Sequence, residues 1–324
     1  MILAACVAGV ALLAGAYLFF THLESQEYAP QARAAYTGSH NATTVQAEDG
    51  NQYKTRSRIR TVLLMGVDRS GSAENSGNYR NNGQADFLRV LVVDDERKVV
   101  THIPIDRDTI TPITILGVLG NKSGMRSTQI CLSYSFGDGG EKSCELVAEA
   151  VSNLLLGVTI DDYLAMNLDG IPVLNDWAGG VTVTLEDDFS HIDPEWVAGA
   201  TVYLEGEKAE TFVRSRMTVG DGSNEGRMRR QQAYITALTD QVIARLNENQ
   251  DAAGVLFDAL GDNLITNASR GRIVNECWAA RQYTHEFVTI DGQYSIGTDG
   301  FKEFHADESS IEKIVLSVFY TEEN

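Results

Sequence analysis

Residues 2–20 form an apolar run without a single charged side chain, about as long as the helix of roughly 20 residues that crosses the hydrocarbon of a bilayer. No other segment constrains the fold as much. The run exceeds the apolar stretch of about 7–15 residues in a cleaved signal peptide, and no clear small-x-small site precedes the polar stretch that begins at Thr21. An uncleaved transmembrane anchor is therefore expected. Cys6 follows Leu3-Ala-Ala as in a lipoprotein box, but the apolar run lies after it and not before, so it reads as an ordinary membrane residue. Residues 21–57 are polar, with many small side chains and little apolar periodicity, and suit a linker between membrane and domain.

Order begins at Thr61-Val-Leu-Leu-Met-Gly-Val67, a continuous apolar run of strand length that ends in Asp68 and a Gly/Ser/Asn-rich loop. Residues 87–93 and 98–105 follow as a hairpin around the charged turn Asp94-Asp-Glu-Arg97. Residues 143–156 repeat apolar side chains at helical spacing and stop at Gly157, a suitable helix-terminating residue. Strands and helices then alternate through 163–168, 171–177, 181–185 and 201–204. Such alternation predicts an α/β sandwich, a mixed central sheet flanked by helices. Residues 250–324 read as a C-terminal extension of helical stretches with one β-like run at 287–290, packed on a domain spanning 58–249. In an exported chain, Cys131 and Cys144, flanking the Gly-rich turn 136–140, suit a disulfide, with two buried thiols as the alternative.

Charge narrows the partners. Against 26 Lys and Arg stand 45 Asp and Glu, for a net charge of −19, which repels nucleic acid and excludes a DNA-binding role. Any anion must be held by a local concentration of arginine. One exists: Arg214, Arg216, Arg227, Arg229 and Arg230 are opposed in that window only by Asp221 and Glu225. Guanidinium forks match phosphate oxygens, although ion pairs to surplus carboxylates would explain the same cluster. If residues 212–216 are extended, Arg214 and Arg216 point to one side. On the following helix, 226–246, Met228, Ile235, Leu238 and Val242 define a buried face with Gln231 in its middle and Arg227 at its edge, while Arg229 points away. Arg227 and Gln231 are thus candidate site residues, Arg229 is solvated, and Arg230 is undecided. Six scattered His residues without ligand spacing argue against zinc, and no Gly-x-Ser-x-Gly elbow supports a serine nucleophile.

From about residue 60 to 246 the chain resembles the LytR-CpsA-Psr family. The resemblance rests on six pieces in order: Leu64-Met-Gly-Val-Asp68, the Asp86 segment, Pro104-Ile-Asp-Arg-Asp-Thr109, Ala178-Gly-Gly-Val181, Val213-Arg-Ser-Arg216, and Gly226-Arg-Met-Arg-Arg-Gln-Gln232. It implies a single-pass membrane protein with an extracytoplasmic catalytic domain, a Mg²⁺-dependent phosphotransferase. Its substrate would be a polyprenyl-pyrophosphate-linked glycan (teichoic acid, capsular or other wall polysaccharide), and its acceptor peptidoglycan. By position, Arg107, Arg214, Arg216 and Arg227 would hold the pyrophosphate with support from Gln231, Asp68 and Asp86 would lie at the metal, and Asp108 would orient an arginine or act as base. Arg107, Asp108 and Asp86 are the candidate catalytic residues. Two positions depart from the pattern: Gln84 stands where many members carry Arg, and Asn224 where an acidic residue is common. The same residues would serve a polyprenyl-pyrophosphate phosphatase, in which water replaces the sugar hydroxyl, and a non-catalytic binder of lipid-linked saccharide would use the same arginines.

Overall fold

The computed structural model describes residues 44–47, 50–71, 82–117, 119–215 and 218–323. The expected anchor at 2–20 lies outside them; among the described residues no helix is long and apolar enough to cross a membrane. The chain runs through β1 (Thr44–Gln46), β2 (Gln52–Thr55), β3 (Ile59–Val67), β4 (Ala85–Asp94), β5 (Val99–Ile105), β6 (Ile110–Leu116), β7 (Lys122–Gln129), α1 (Leu132–Ser135), α2 (Glu141–Leu154), β8 (Asp162–Asn167), α3 (Gly170–Ala178), β9 (Val181–Thr184), β10 (Thr201–Leu204), α4 (Glu207–Arg214) and α5 (Asn224–Glu248). It continues through α6 (Ala252–Leu260), β11 (Leu264–Thr266), α7 (Arg270–Ala280), β12 (Thr284–Phe287), β13 (Gly292–Ile296), β14 (Lys302–Ala306), α8 (Glu308–Phe319) and β15 (Tyr320–Glu322).

The central sheet has the order β11-β8-β3-β4-β5-β12 and is mixed, as expected: β3 pairs parallel with β8 and β5 parallel with β12, whereas the other neighbours are antiparallel. β3 lies in its middle, and this accounts for its unbroken apolar run, because both of its faces are covered. Leu63, Met65 and Val67 point into one core with Leu88 and Val90 of β4, Ile103 of β5, Val147 and Val151 of α2, and Ile311 and Val315 of α8. The opposite face, carrying Leu64 and Gly66, is covered by α3, α5 and α6, whose inner side chains leave a cavity above the sheet. A second apolar cluster joins α3, β9, β10, α4 and α5 around Phe189, Phe212 and Leu204.

Three local outcomes differ from the sequence reading. Residues 44–46 and 52–55, assigned to the linker, are strands, and β2 pairs with both β1 and β15. No break in the structure falls at 249/250: β11 and β12 complete the two edges of the central sheet, and α8 enters its main core. Cys131 and Cys144 are free, buried thiols and not a disulfide. Cys144 faces the main core from α2, while the Cys131 sulfur faces the Arg107 guanidinium at 3.5 Å.

Helix α5 carries Arg227, Arg229 and Arg230, and its start is fixed by Ser223, whose Oγ accepts from the Gly226 amide at 3.0 Å. Removing an N-cap hydroxyl costs about 1 kcal/mol. Ser223→Ala is accordingly expected to lower stability by about that amount in chemical denaturation; no measurable change would show that the loop before α5 holds its end without the cap.

Candidate active site

Asp86 is placed by an irregularity. In the β3–β4 pairing Gly66 faces Phe87 but Val67 faces Ala85, so Asp86 is an extra residue, a β-bulge that turns its carboxylate out of the regular alternation. A Cβ on Gly66 would stand 2.9 Å from that of Phe87, so glycine permits the close approach. Asp68 lies just past the end of β3, its amide donating to the Gln84 carbonyl at 2.9 Å. Both carboxylates come out at one end of the strands.

Arginines converge on them. Arg107, in the turn after β5, donates from Nη1 to Asp86 Oδ1 and from Nη2 to Gln84 Oε1, and its Nε stands 3.3 Å from Asp108 Oδ1. Arg227 donates from Nη1 to the other Asp86 oxygen at 3.2 Å. Arg214 donates from Nη2 to Asp68 Oδ1 at 3.3 Å and from Nη1 to Glu210 at 2.8 Å. It is the last residue of α4 and not part of an extended segment; the chain becomes extended only at Ser215, whose ψ is 128°. Arg216 lies outside the described residues. Gln231 lines the same space and holds the Val213 carbonyl through Nε2 at 3.4 Å.

The two departures acquire a physical reading. Asn224 is fully buried: its Oδ1 accepts from Arg227 Nη2 at 2.8 Å, and its Nδ2 donates to Asp106 Oδ1 at 2.9 Å. The amide thus links Arg227 to a buried carboxylate one residue removed, and Asp106, not singled out in the sequence, supplies the negative charge. Gln84 turns its carbonyl oxygen to Arg107, so the position that is basic in many members serves here as an acceptor. Asp108 is buried beside Arg107, where it is placed to orient that guanidinium. Burial pushes the Cys131 thiol up to about 12, against the pull of the Arg107 guanidinium beside it.

Arg229 is exposed, with Glu186 at 3.7 Å, in agreement with its assignment to solvent. Arg230, left undecided by the sequence, is structural. It is buried, donates to Asp187 Oδ2 at 2.8 Å and to the Ser215 carbonyl, and lies over the Phe189 ring.

Behind the polar mouth lies a cavity of about 470 Å³. Its entrance is Asp68, Asp86, Arg107, Arg214, Arg227 and Gln231. Its depth is apolar, with Leu64, Leu164 and Met166 from the sheet, Ile171 and Leu174 from α3, Ile235 and Leu238 from α5, and Leu256 and Leu260 from α6. These side chains are of the same types as the packed core, which is why the sequence did not single them out. For a divalent ion, Asp68 and Asp86 offer hard oxygen donors on one wall of the entrance. That set fits Mg²⁺, which takes one or two carboxylates together with substrate phosphates. Among the described residues no group of three or more His, Cys, Asp or Glu could form a self-sufficient cage.

The profile of the LytR_cpsA_psr family matches residues 23–317. The chain is 27% identical over 215 residues to "Biofilm regulatory protein A" of Streptococcus mutans, covering 64% of this chain and 49% of that protein. It is 28% identical over 207 residues to the "Polyisoprenyl-teichoic acid--peptidoglycan teichoic acid transferase TagU" of Halalkalibacterium halodurans, covering 64% of this chain and 60% of that one. The chain thus spans about half to three fifths of the length of these relatives. Among solved structures, TagV of B. subtilis superposes with a TM-score of 0.59 at 22% identity over 81% of this chain and 96% of that one. A structure of TagT bound to LIIa-WTA does so with 0.62 at 16% identity over 86% and 96%; at these identities the likeness concerns the fold. By the extent of the profile match, the chain belongs to the LytR_cpsA_psr family.

Proposed function

We propose that this chain is a phosphotransferase that moves a wall glycopolymer from a polyprenyl-pyrophosphate carrier to peptidoglycan, acting outside the cytoplasm from a membrane anchor at residues 2–20, with Mg²⁺ as cofactor. One observation carries the reading: an apolar cavity that opens onto three guanidinium groups and two carboxylates. An amphiphile with a long hydrocarbon tail and a multiply charged phosphate head matches that division. TagU of H. halodurans is named a teichoic acid transferase, and TagT is described with a bound LIIa-WTA, which support the same substrate class.

In this reading the prenyl tail occupies the cavity and the pyrophosphate meets Arg107, Arg214 and Arg227, with Arg216 assigned by the family resemblance. Negative charge grows on the departing prenyl phosphate, and fixed guanidinium groups at a partly enclosed site stabilise it more strongly than water does. Arg107 and Arg227 occupy both oxygens of Asp86 in the structure. A pyrophosphate that draws their N–H groups away leaves a carboxylate oxygen available to take the proton of the acceptor hydroxyl. Asp68 and Asp86 would hold Mg²⁺, which would supply further positive charge against the developing anion.

Filling the cavity tests the reading. Leu164→Trp is expected to reduce turnover of a long-chain donor at least about tenfold while sparing a short-chain donor, because each buried methylene contributes about 0.8 kcal/mol. Equal turnover of both donors by wild type and variant would remove the tail from the cavity, and turnover that persists in a strong chelator would remove the metal.

A further inference from the structure

A second cavity, of about 490 Å³, lies on the same face of the sheet. The first sits over β3 and β8 and the second over β5 and β12, and Asp86, Phe87, Arg107 and Gln231 line both. The wall farthest from the first cavity comes from the C-terminal extension: Phe287, Thr289, Tyr294 and Phe304.

Arg89 of β4 lines this space and is only 2% exposed. Its Nη2 donates to Gln232 Oε1 at 2.8 Å, and the rings of Phe87 and Phe287 lie 5.6 and 5.9 Å from its guanidinium carbon. Its Nε and Nη1 have no partner, and among the described residues no carboxylate forms an ion pair with it. Arg107, Arg214, Arg227 and Arg230 each have one. Burial pushes the Arg89 guanidinium down to about 10, so it remains charged at neutral pH. A buried charge without a counterion is strongly unfavourable unless something pairs with it. The carboxylates nearby are otherwise engaged: Asp106 accepts from Asn224 and Tyr294, and Glu225 pairs with Lys302 at 2.6 Å.

We infer that the second cavity is the acceptor site and takes a carboxylate-bearing saccharide, its carboxylate paired with Arg89 and its sugar rings against Phe287, Tyr294 and Phe304. The assignment rests on the proposed transfer and adds a geometric reason. In phosphoryl transfer the attacking and leaving oxygens stand roughly in line. With the prenyl phosphate leaving toward the first cavity, the attacking hydroxyl comes from the side of the second. Its oxygen bonds to the phosphorus that carries the glycan, the bridging P–O bond breaks with its electron pair going to the prenyl phosphate, and the hydroxyl proton passes to Asp86, the carboxylate common to both spaces.

The test is calorimetric titration of the full-length chain in detergent, without donor, using a peptidoglycan disaccharide–peptide, the same fragment with its carboxylates amidated, and a glycerol-phosphate oligomer. The carboxylated fragment is expected to bind about ten- to a hundredfold more tightly than the amidated one, and Arg89→Gln to erase that difference. If Arg89→Gln does not fold, Thr289→Trp, at an exposed position on the rim, is expected to weaken the carboxylated fragment instead. Equal affinity for carboxylated and amidated fragments overturns the proposal. So does Arg89-dependent binding of the glycerol-phosphate oligomer in place of the fragment, which would give the cavity to the donor's own polymer. Because binding is read without turnover, a chain that binds the fragment but transfers nothing refutes the transfer reading alone.

Discussion

Arg107→Ala is expected to lower the kcat/KM for a polyprenyl-pyrophosphate saccharide by about 100- to 1,000-fold, the range found when one preorganised donor is removed from a transition-state anion site. Arg107 lines both cavities, reaches Asp86 and Gln84, and is backed by Asp108. The substitution therefore removes a phosphate donor and releases the carboxylate beside it. Arg107→Lys is expected to recover only part of the loss, since an ammonium group keeps the charge but not the planar fork that spans Asp86 and Gln84. A loss that comes entirely from a raised KM, with kcat unchanged, would indicate that Arg107 binds substrate and transition state equally. A loss of less than about fivefold, in a variant that folds, would place the reaction away from this cluster.

Asp187→Ala is expected to destabilise the chain by about 3–5 kcal/mol, the cost of leaving a buried charge without its partner. Arg230 is 3% exposed and has two anchors, Asp187 Oδ2 and the Ser215 carbonyl. Through Ser215 the same guanidinium holds the segment that follows Arg214. Loss of Asp187 should therefore appear twice, as a lower denaturation midpoint and as a raised KM for the donor. Asp187→Asn, which keeps an acceptor oxygen, should retain more of both. A shift below about 1 kcal/mol would mean that water reaches Arg230 once the carboxylate is gone.

Much of this arrangement was legible in the sequence because it is local or carries a residue type that burial makes expensive. The apolar run 61–67, the hairpin around residues 94–97 and the helical spacing at 143–156 became β3, the β4–β5 pair and α2. Gln231 on an apolar helix face pointed to the site for the same reason. What was missed depends on distant pairing. The parallel union of β12 with β5 joins residues far apart in sequence, so the extension looked separable from the domain. Whether Arg214 stands on an extended segment was left open, because five residues cannot show where the preceding helix ends. Cys131 and Cys144 are near in sequence, yet one faces Arg107 and the other the core, which no spacing reveals. Arg89 did leave a signal: a lone cation inside the apolar run 87–93, between Leu88 and Val90.

The short sheet β1-β2-β15 has a consequence for the order in which the protein is made. Its first two strands precede the central sheet and its third is residues 320–322, so strand β2 acquires its second neighbour only when the end of the described chain is present. The β12 edge waits almost as long. A chain made amino end first leaves β2 and β5 each with an unpaired edge until residues 320–322 and 284–287 have been added. Removing residues 320–322 therefore acts on β2, near the other end of the described chain, and its first symptom should be association or proteolysis of newly made chains, before any loss in the chemistry of mature ones.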